Sequence, residues 1–215
     1  MTRKFIARII GRGGMQMPKE TFLNLPNEKK QRINELLLET FCKQHISQVK
    51  VAEIVEKMGM SRGAFYKYFQ DLEDAYLYTI HSSSQLIHQD ILTFVDQNKH
   101  DFFLGIEKYL AWCCDLDHSD PYWQRLYLLT KRNDQQTTKR RPLSADSKMV
   151  RQWLDLLKTN HFKIQSPEEA VSFLYFSMSL VMNSLADFIT NEWSKEELLT
   201  DFRYKANWLS DGVKK

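Results

Sequence analysis

The segment VAEIVEKMGMSRGAFYKYF, residues 51–69, decides how the whole chain is interpreted. Apolar residues recur at helical spacing in its first half and predict a short helix with one apolar face. They are Val51, Ile54, Val55 and Met58. Gly59 follows, where a left-handed residue commonly ends a helix, and Ser61 offers a side-chain cap for the next helix. The spacing therefore predicts two short helices joined by a tight turn, as in a helix-turn-helix.

The second of these helices begins with small and charged residues. Ser61 is followed by Arg62, Gly63 and Ala64. Small residues at a helix start let the backbone approach a nucleic acid closely, and the free amides and the helix dipole favour a phosphate there. Arg62 adds a full positive charge. We therefore expect this helix start to lie against DNA.

Aromatic residues fill the rest of this helix. Because neighbouring helical residues diverge by about 100°, we expect Phe65 and Phe69 to point inward and Tyr66 and Tyr68 to be exposed. Tyrosine hydroxyls can donate to phosphates, and lysines add contacts that weaken as salt rises. The predicted DNA-binding residues are Lys50, Ser61, Arg62, Gly63, Ala64, Tyr66, Lys67 and Tyr68.

The composition predicts an all-α fold. Seven glycines and five prolines are few for 215 residues, and Val, Ile and Thr form no alternating runs. A hydrophobic content of 43% is enough to bury a core. We expect about ten helices, over residues 27–43, 51–58, a brief stretch after 61, 71–80, 85–97, 101–116, 121–132, 147–160, 167–190 and 194–213.

Charge and composition divide the chain into three parts. Residues 1–16 carry four cations and no acid and end in Gly11-Arg12-Gly13-Gly14, which predicts a disordered basic extension. This extension is either an arm that reaches DNA or a stretch before a natural start at Met15 or Met17. Residues 17–80 are the predicted helix-turn-helix domain and 81–215 an effector-binding and dimerisation domain, with a flexible loop over 133–144.

Residues 17–80 resemble the DNA-binding domain of the TetR/AcrR family of bacterial regulators. The family pattern is an Ile-Ala-like pair and then Gly-x-Ser-Lys/Arg-Gly-x-Leu/Phe-Tyr-x-His/Tyr-Phe, and Ile54-Val55 and residues 59–69 match it. The resemblance implies a homodimer that binds a palindromic operator in double-stranded DNA, most often as a repressor released by a small effector. It also implies that Tyr66 and Tyr68 contact phosphates. Lys50 and Leu72 depart from the family, which usually has threonine or serine at the first position and lysine at the second.

The net charge does not by itself indicate a nucleic-acid partner. The chain carries +3 overall, and residues 17–80 hold nine Lys and Arg against nine acids. We therefore expect modest non-specific affinity, with binding strengthened when a dimer presents two half-sites.

The C-terminal domain is rich in aromatic residues. They are Phe102, Phe103, Tyr109, Trp112, Tyr122, Trp123, Tyr127, Trp153, Phe173, Tyr175 and Phe176. Such rings form either an ordinary core or a pocket for an apolar or aromatic effector. The predicted lining residues are Trp112, Tyr127, Phe176 and Asn183.

Residues 171–189 are apolar on nearly every face, which indicates burial against the domain and also against a partner. With the last helix, which carries Tyr204 and Trp208, this segment predicts an intersubunit four-helix bundle of twofold symmetry. Met178 and Met182 could equally line a pocket.

Catalytic and metal-binding signals are weak. The three cysteines and six histidines lack metal-ligand spacing, so we expect no enzyme, no metal and no cofactor. Few cysteines and no apolar run near the roughly 20 residues of a membrane span predict a cytoplasmic protein that does not enter membranes. Two alternatives remain open: an effector-independent dimeric DNA-binding protein, and an all-helical enzyme or carrier for a hydrophobic molecule.

Overall fold

A computed structural model describes residues 18–131 and 148–213 of the chain. These residues form ten α-helices and one 3₁₀ turn, and the predicted all-α class is confirmed. The helices are α1 (Glu20–Leu23), α2 (Asn27–Lys43), α3 (Val51–Met58), α4 (Arg62–Tyr68), α5 (Leu72–Gln97), α6 (Phe102–Cys114), α7 (Pro121–Thr130), α8 (Lys148–Thr159), α9 (Pro167–Thr190) and α10 (Lys195–Val213), with the turn at Ile46–Gln48.

Local sequence signals set the ends of the helices in the helix-turn-helix. The predicted bounds of α2 are confirmed. Gly59 ends α3 in the left-handed conformation, with φ of 61° and ψ of 36°, a region that glycine enters without steric cost. Ser61 caps α4, because its Oγ accepts a hydrogen bond from the Ala64 amide at 3.2 Å. The turn between α3 and α4 is therefore fixed by two residues.

One predicted break is wrong: residues 71–80 and 85–97 belong to a single helix, Leu72–Gln97. The residues between them are a histidine and three serines, which are modest helix formers. Serine can instead bond to the preceding turn without leaving the helix. Ser82 does so, since its Oγ donates to the Thr79 carbonyl at 3.1 Å. The sequence also failed to indicate α1 and the 3₁₀ turn.

The described residues fall into two compact units, and the division lies within α5. The first comprises residues 18–84 and 117–131, and the second comprises residues 85–116 and 148–213. The segment with α7 thus belongs to the same unit as the helix-turn-helix. The functional division at residue 80 stays a prediction.

Helix α7 packs along α2 within the first unit. Two polar contacts tie α7 to its neighbours: the Cys42 Sγ donates to the Gln124 carbonyl at 3.1 Å, and Arg125 Nη1 donates to Ser83 Oγ at 3.2 Å. The helix-turn-helix is thereby attached to a helix that lies about 80 residues later in the chain.

The second unit has an aromatic core. The Phe102 ring lies 5.1 Å from that of Phe162 and 5.7 Å from that of Trp153, and Phe173 lies 5.0 Å from Phe162. All four side chains are buried. Each buried aromatic side chain stabilises the fold by roughly 1.5–3 kcal/mol relative to exposure.

Two polar or small residues fix α6 within this core. Buried Asn160 accepts from the Phe102 amide at 2.9 Å and donates to the Lys99 carbonyl at 2.7 Å. Gly105 lies so close to α5 that an added Cβ would stand 2.7 Å from the Val95 Cα. The start of α6 is therefore held by hydrogen bonds, and the end of its first turn requires a residue without a side chain.

Helix α9 is the only described helix that is long and apolar enough to cross a membrane by length and composition. The sequence prediction that no segment approaches this length is therefore too strict. The core helices of proteins outside membranes pass the same test, and α9 contributes eight buried residues to its unit. The finding is weak evidence for a membrane span.

Two predicted segments lie outside the described residues. They are the basic extension over residues 1–16 and the flexible loop over residues 133–144.

Candidate DNA-binding site

The outer face of α4 brings most of the predicted DNA-binding residues together. Ser61, Arg62, Gly63 and Lys67 are exposed and Ala64 is half-buried. Tyr66 is 45% exposed, as predicted. One short helix therefore presents small residues and cations at its start, followed by a tyrosine that solvent can reach.

The start of α4 has the features of an anion-binding helix end. The first amides of an α-helix have no acceptor within the helix. The Ser61 side chain satisfies the Ala64 amide, and the preceding amides of Arg62 and Gly63 are left for an external acceptor. The helix dipole and the Arg62 guanidinium both favour a phosphate at this position.

Gly63 is not required by the packing of the protein itself. A Cβ added to Gly63 would meet a single side-chain atom, Ser61 Oγ, at 3.8 Å, which is an ordinary van der Waals contact. Its backbone is helical, so a side chain there is not strained. A small residue at this exposed position is therefore suited to close approach from outside the chain.

The inner face of α4 is apolar. Phe65 and Phe69 are buried, as predicted, with ring centroids 5.5 Å apart. The predicted exposure of Tyr68 is wrong, because this side chain is only 8% exposed. Tyr68 lies three residues after Phe65 and so shares its helix face. The ring of Phe22, 5.9 Å away and edge-on, packs against it.

Lys50 lies immediately before α3, apart from the residues of α4 in sequence. It occupies the N-cap position of that helix, its side chain makes no cap hydrogen bond, and the residue is exposed. The position leaves the ammonium group available for a phosphate. Contact of Lys50 or of any α4 residue with DNA stays a prediction.

The sequence reasoning missed Lys19. Its amide donates to the Tyr68 carbonyl at 2.9 Å, and its Nζ donates to the Tyr66 carbonyl at 2.8 Å. Forty-seven residues separate Lys19 from Tyr66. No local pattern could have indicated this contact, because it depends on how the segment before α2 folds back.

The four predicted effector-lining residues lie in different surroundings. Trp112 is half-buried on α6, with its ring 5.8 Å from that of Phe94. Tyr127 belongs to the first unit, where the Lys131 ammonium stands 4.0 Å from its ring centroid. Phe176 and Asn183 both lie on the exposed face of α9. Their role in a pocket stays a prediction.

The cysteines are protected from ionisation. Burial raises the pKa of Cys42 and of Cys114 to about 11, and it raises the pKa of Cys113 further. Thiolates are therefore scarce at neutral pH, and the three thiols serve as small packing groups. Among residues 18–131 and 148–213, no group of three or more His, Cys, Asp or Glu is placed to hold a metal ion.

Comparison with solved structures shows where this fold occurs. A TetR-family transcriptional regulator from Pectobacterium atrosepticum is 12% identical, with a TM-score of 0.56 over 89% of this chain and 98% of that chain. A putative TetR-family regulator from Rhodococcus sp. is also 12% identical, with a TM-score of 0.56 over 85% and 98% of the two chains. At this identity the likeness concerns the fold alone. Comparison with curated proteins gives no match.

A family model supplies the sequence relationship. The model described as "Tetracyclin repressor-like, C-terminal domain" matches residues 101–213, which is more than half of the chain. It covers the part of the sequence that lies outside the helix-turn-helix pattern, so the two signals are independent. The protein therefore belongs to the TetR family of DNA-binding transcriptional regulators.

Proposed function

We propose that the protein is a homodimeric repressor that binds a palindromic operator through α4 and leaves it when a small apolar or aromatic effector binds. TetR-family regulators bind DNA, and they typically dimerise and bind small molecules. The repressor role, the pairing of two copies and the effector are the parts that we infer for this chain. We further infer that it acts in the cytoplasm.

The outer face of α4 is the observation that carries the proposal. Its start exposes Arg62 and Gly63, and Tyr66 and Lys67 follow on the accessible surface. A phosphate would find free amides, a guanidinium and a small residue within one helical turn. The buried Phe65 fixes this helix from below, so the exposed face can be presented rigidly to a DNA groove.

Exposed aromatic residues on the last two helices support a dimer. Phe176 on α9 is 43% exposed, and Tyr204 and Trp208 on α10 are 56% and 71% exposed. We infer that these three residues share one surface, which we call the aromatic face. Large exposed rings are enriched at protein interfaces, and a second copy of the same face would bury them under twofold symmetry.

The aromatic interior of the second unit supports an apolar or aromatic effector. Phe94, Tyr109 and Trp112 form a group with ring centroids 5.6–6.0 Å apart. Release from DNA would require the effector to bind more tightly to a conformation with low operator affinity.

One observation favours an alternative, a dimeric DNA-binding protein without an effector. Phe176 and Asn183, two of the four proposed lining residues, are exposed on α9. Such positions suit an intersubunit surface better than an interior pocket. The second unit would then serve only to pair the two chains.

A gel-shift experiment tests the proposal. The probe is the DNA upstream of the gene that encodes the chain, at several salt concentrations, with a scrambled duplex as control. We expect sequence-dependent binding that weakens as salt rises and is reduced about tenfold by Tyr66→Ala. Absence of such binding would overturn the DNA-binding role of α4. Apolar and aromatic compounds added to the complex then decide between the two versions, since an effector-independent protein would stay bound.

A further inference from the structure

The segment before α2 forms a brace for the recognition helix α4. We define the N-terminal brace as residues 18–25, which include the short helix α1. Lys19 donates twice to α4, from its amide to the Tyr68 carbonyl at 2.9 Å and from its Nζ to the Tyr66 carbonyl at 2.8 Å. Two of the last three carbonyls of α4 therefore accept hydrogen bonds from one residue of the brace.

These contacts matter because α4 has only seven residues. Helices of this length are not stable alone in water, and their last four carbonyls lack partners within the helix. The Lys19 ammonium lies at the negative end of the helix dipole, where a cation is favoured. The two hydrogen bonds therefore satisfy two of these carbonyls and fix the C-terminal end of α4.

The brace also supports α4 from below. Phe22 is 1% exposed, and its ring centroid lies 5.1 Å from that of Phe69 and 5.9 Å from that of Tyr68. The same ring lies 5.2 Å from Tyr78 of α5. Phe22 thus links the brace to the inner face of α4 and to the following helix, so the brace is part of the folded unit.

We propose that Lys19 is a positioning residue for DNA recognition: it holds the end of α4 so that Arg62, Gly63 and Tyr66 meet the operator together, without touching DNA itself. This inference rests on the proposed DNA-binding role of α4. Lys19 holds the main chain of Tyr66, the same residue whose side chain extends to the surface. Loss of the contact would let the C-terminal end of the helix move relative to the groove.

The test compares two lysine variants in the full-length chain. Lys19→Met removes the ammonium and keeps much of the apolar stem. Lys108→Met is the matched control, because the Lys108 Nζ also makes one hydrogen bond, to Asn98 Oδ1 at 2.6 Å, and Lys108 lies in the other unit. Fluorescence anisotropy gives Kd for two probes: the duplex that the wild-type chain enriches most from a random library, and an alternating A·T duplex of the same length.

A positioning role predicts an unequal loss. We expect Lys19→Met to raise the Kd for the selected duplex about tenfold and the Kd for the A·T duplex by less than about twofold. The slope of log Kd against log salt should stay unchanged, and Lys19→Arg should restore most of the loss. Lys108→Met should change neither Kd. The Tm of each variant is measured beside its Kd.

Three other results would overturn the inference. Equal loss on both duplexes, with a salt slope smaller by about 0.9 per lysine, would mean that Lys19 contacts a phosphate. A lower Tm with unchanged Kd would mean that it only stabilises the fold. No change in Kd or Tm would mean that the contact contributes to neither DNA binding nor stability. If Tyr66→Ala leaves the Kd unchanged as well, the proposed role of α4 fails; if only Lys19→Met is without effect, the brace alone fails.

Discussion

The two compact units use aromatic residues in different ways. In the unit with the helix-turn-helix, Phe22, Phe65 and Phe69 are buried beneath α4, and the start of the helix exposes small and cationic residues. In the other unit the aromatic residues fill the core and also reach the surface, where Trp208 is 71% exposed. The first unit buries these phenylalanine rings behind a polar face on which Tyr66 is exposed, and the second unit presents large apolar rings to solvent.

This difference fits the partners proposed for the two surfaces, DNA for the first and a second copy of the chain for the second. A phosphate backbone favours amides, guanidinium groups and close approach, all of which a short helix start provides. An identical protein surface favours apolar rings that both copies can bury. The contrast predicts that substitutions on the two surfaces have separable effects, on DNA affinity in one case and on association in the other.

The largest expected effect concerns the aromatic face. Trp208→Glu places a charge where each of two copies would bury an indole, so we expect the dimer Kd to rise at least about a hundredfold. Sedimentation equilibrium measures the mass. Leu23→Glu is the control, because Leu23 is 53% exposed in the other unit, and the mass of this variant should not change. A Trp208→Glu variant with the wild-type mass would mean that the aromatic face does not pair two copies of the chain.

A smaller effect is expected inside the second unit. Gly105→Ala would place a Cβ 2.7 Å from the Val95 Cα, and backbone can yield little, so we expect a loss of about 2 kcal/mol in the free energy of unfolding. Gly212→Ala is the control. Nothing lies within 4 Å of a Cβ there, and alanine favours a helix over glycine by up to about 1 kcal/mol. In urea denaturation, the free energy of unfolding should therefore fall for Gly105→Ala and rise for Gly212→Ala. Equal changes in the two variants would contradict the close approach of α6 to α5.

Gly63 should behave differently from both of these glycines. Its Cβ position is open, so Gly63→Gln should keep the wild-type free energy of unfolding or raise it slightly. We expect the same change to weaken DNA binding about tenfold, because the added side chain separates the helix start from the backbone of the DNA. Urea denaturation and anisotropy on one preparation check both statements. Unchanged DNA affinity would mean that this helix start does not approach DNA closely.

The smallest expected effect separates the two tyrosines of α4. Tyr68 is 8% exposed and Tyr66 is 45% exposed. We expect Tyr68→Phe to change the DNA Kd by less than about twofold and Tyr66→Phe to weaken it about fivefold, since only an accessible hydroxyl can donate to a phosphate. The reverse order would favour the phosphate contact that the family resemblance implies for Tyr68.

The parts of the fold that sequence predicts are those with local causes. The bounds of α2, the left-handed Gly59 and the Ser61 cap each depend on residues within a few positions. The same holds for the later caps at Asp120 and Ser166, whose side chains accept from amides of the first turn. Such features need no knowledge of distant packing.

The errors have non-local causes. The burial of Tyr68 depends on Phe22, and the role of Lys19 depends on a segment that folds back across 47 residues. The continuity of α5 through residues 81–84 has no local signal, and Ser82 there bonds to the preceding turn without interrupting the helix. For the effector, the chain offers many aromatic residues and no motif. Composition therefore indicated an aromatic surface, but it could not show whether Phe176 and Asn183 line a pocket or face solvent.

Hydrogen–deuterium exchange, with and without the selected duplex, tests the central claim most directly. The chain is held at a concentration above which sedimentation equilibrium shows no further increase in mass, so that DNA does not change its association. A DNA-binding role for α4 predicts slower amide exchange in peptides that cover residues 61–68 when DNA is added, and no change in those that cover residues 198–210. Slower exchange confined to residues 198–210, with none in residues 61–68, would contradict it.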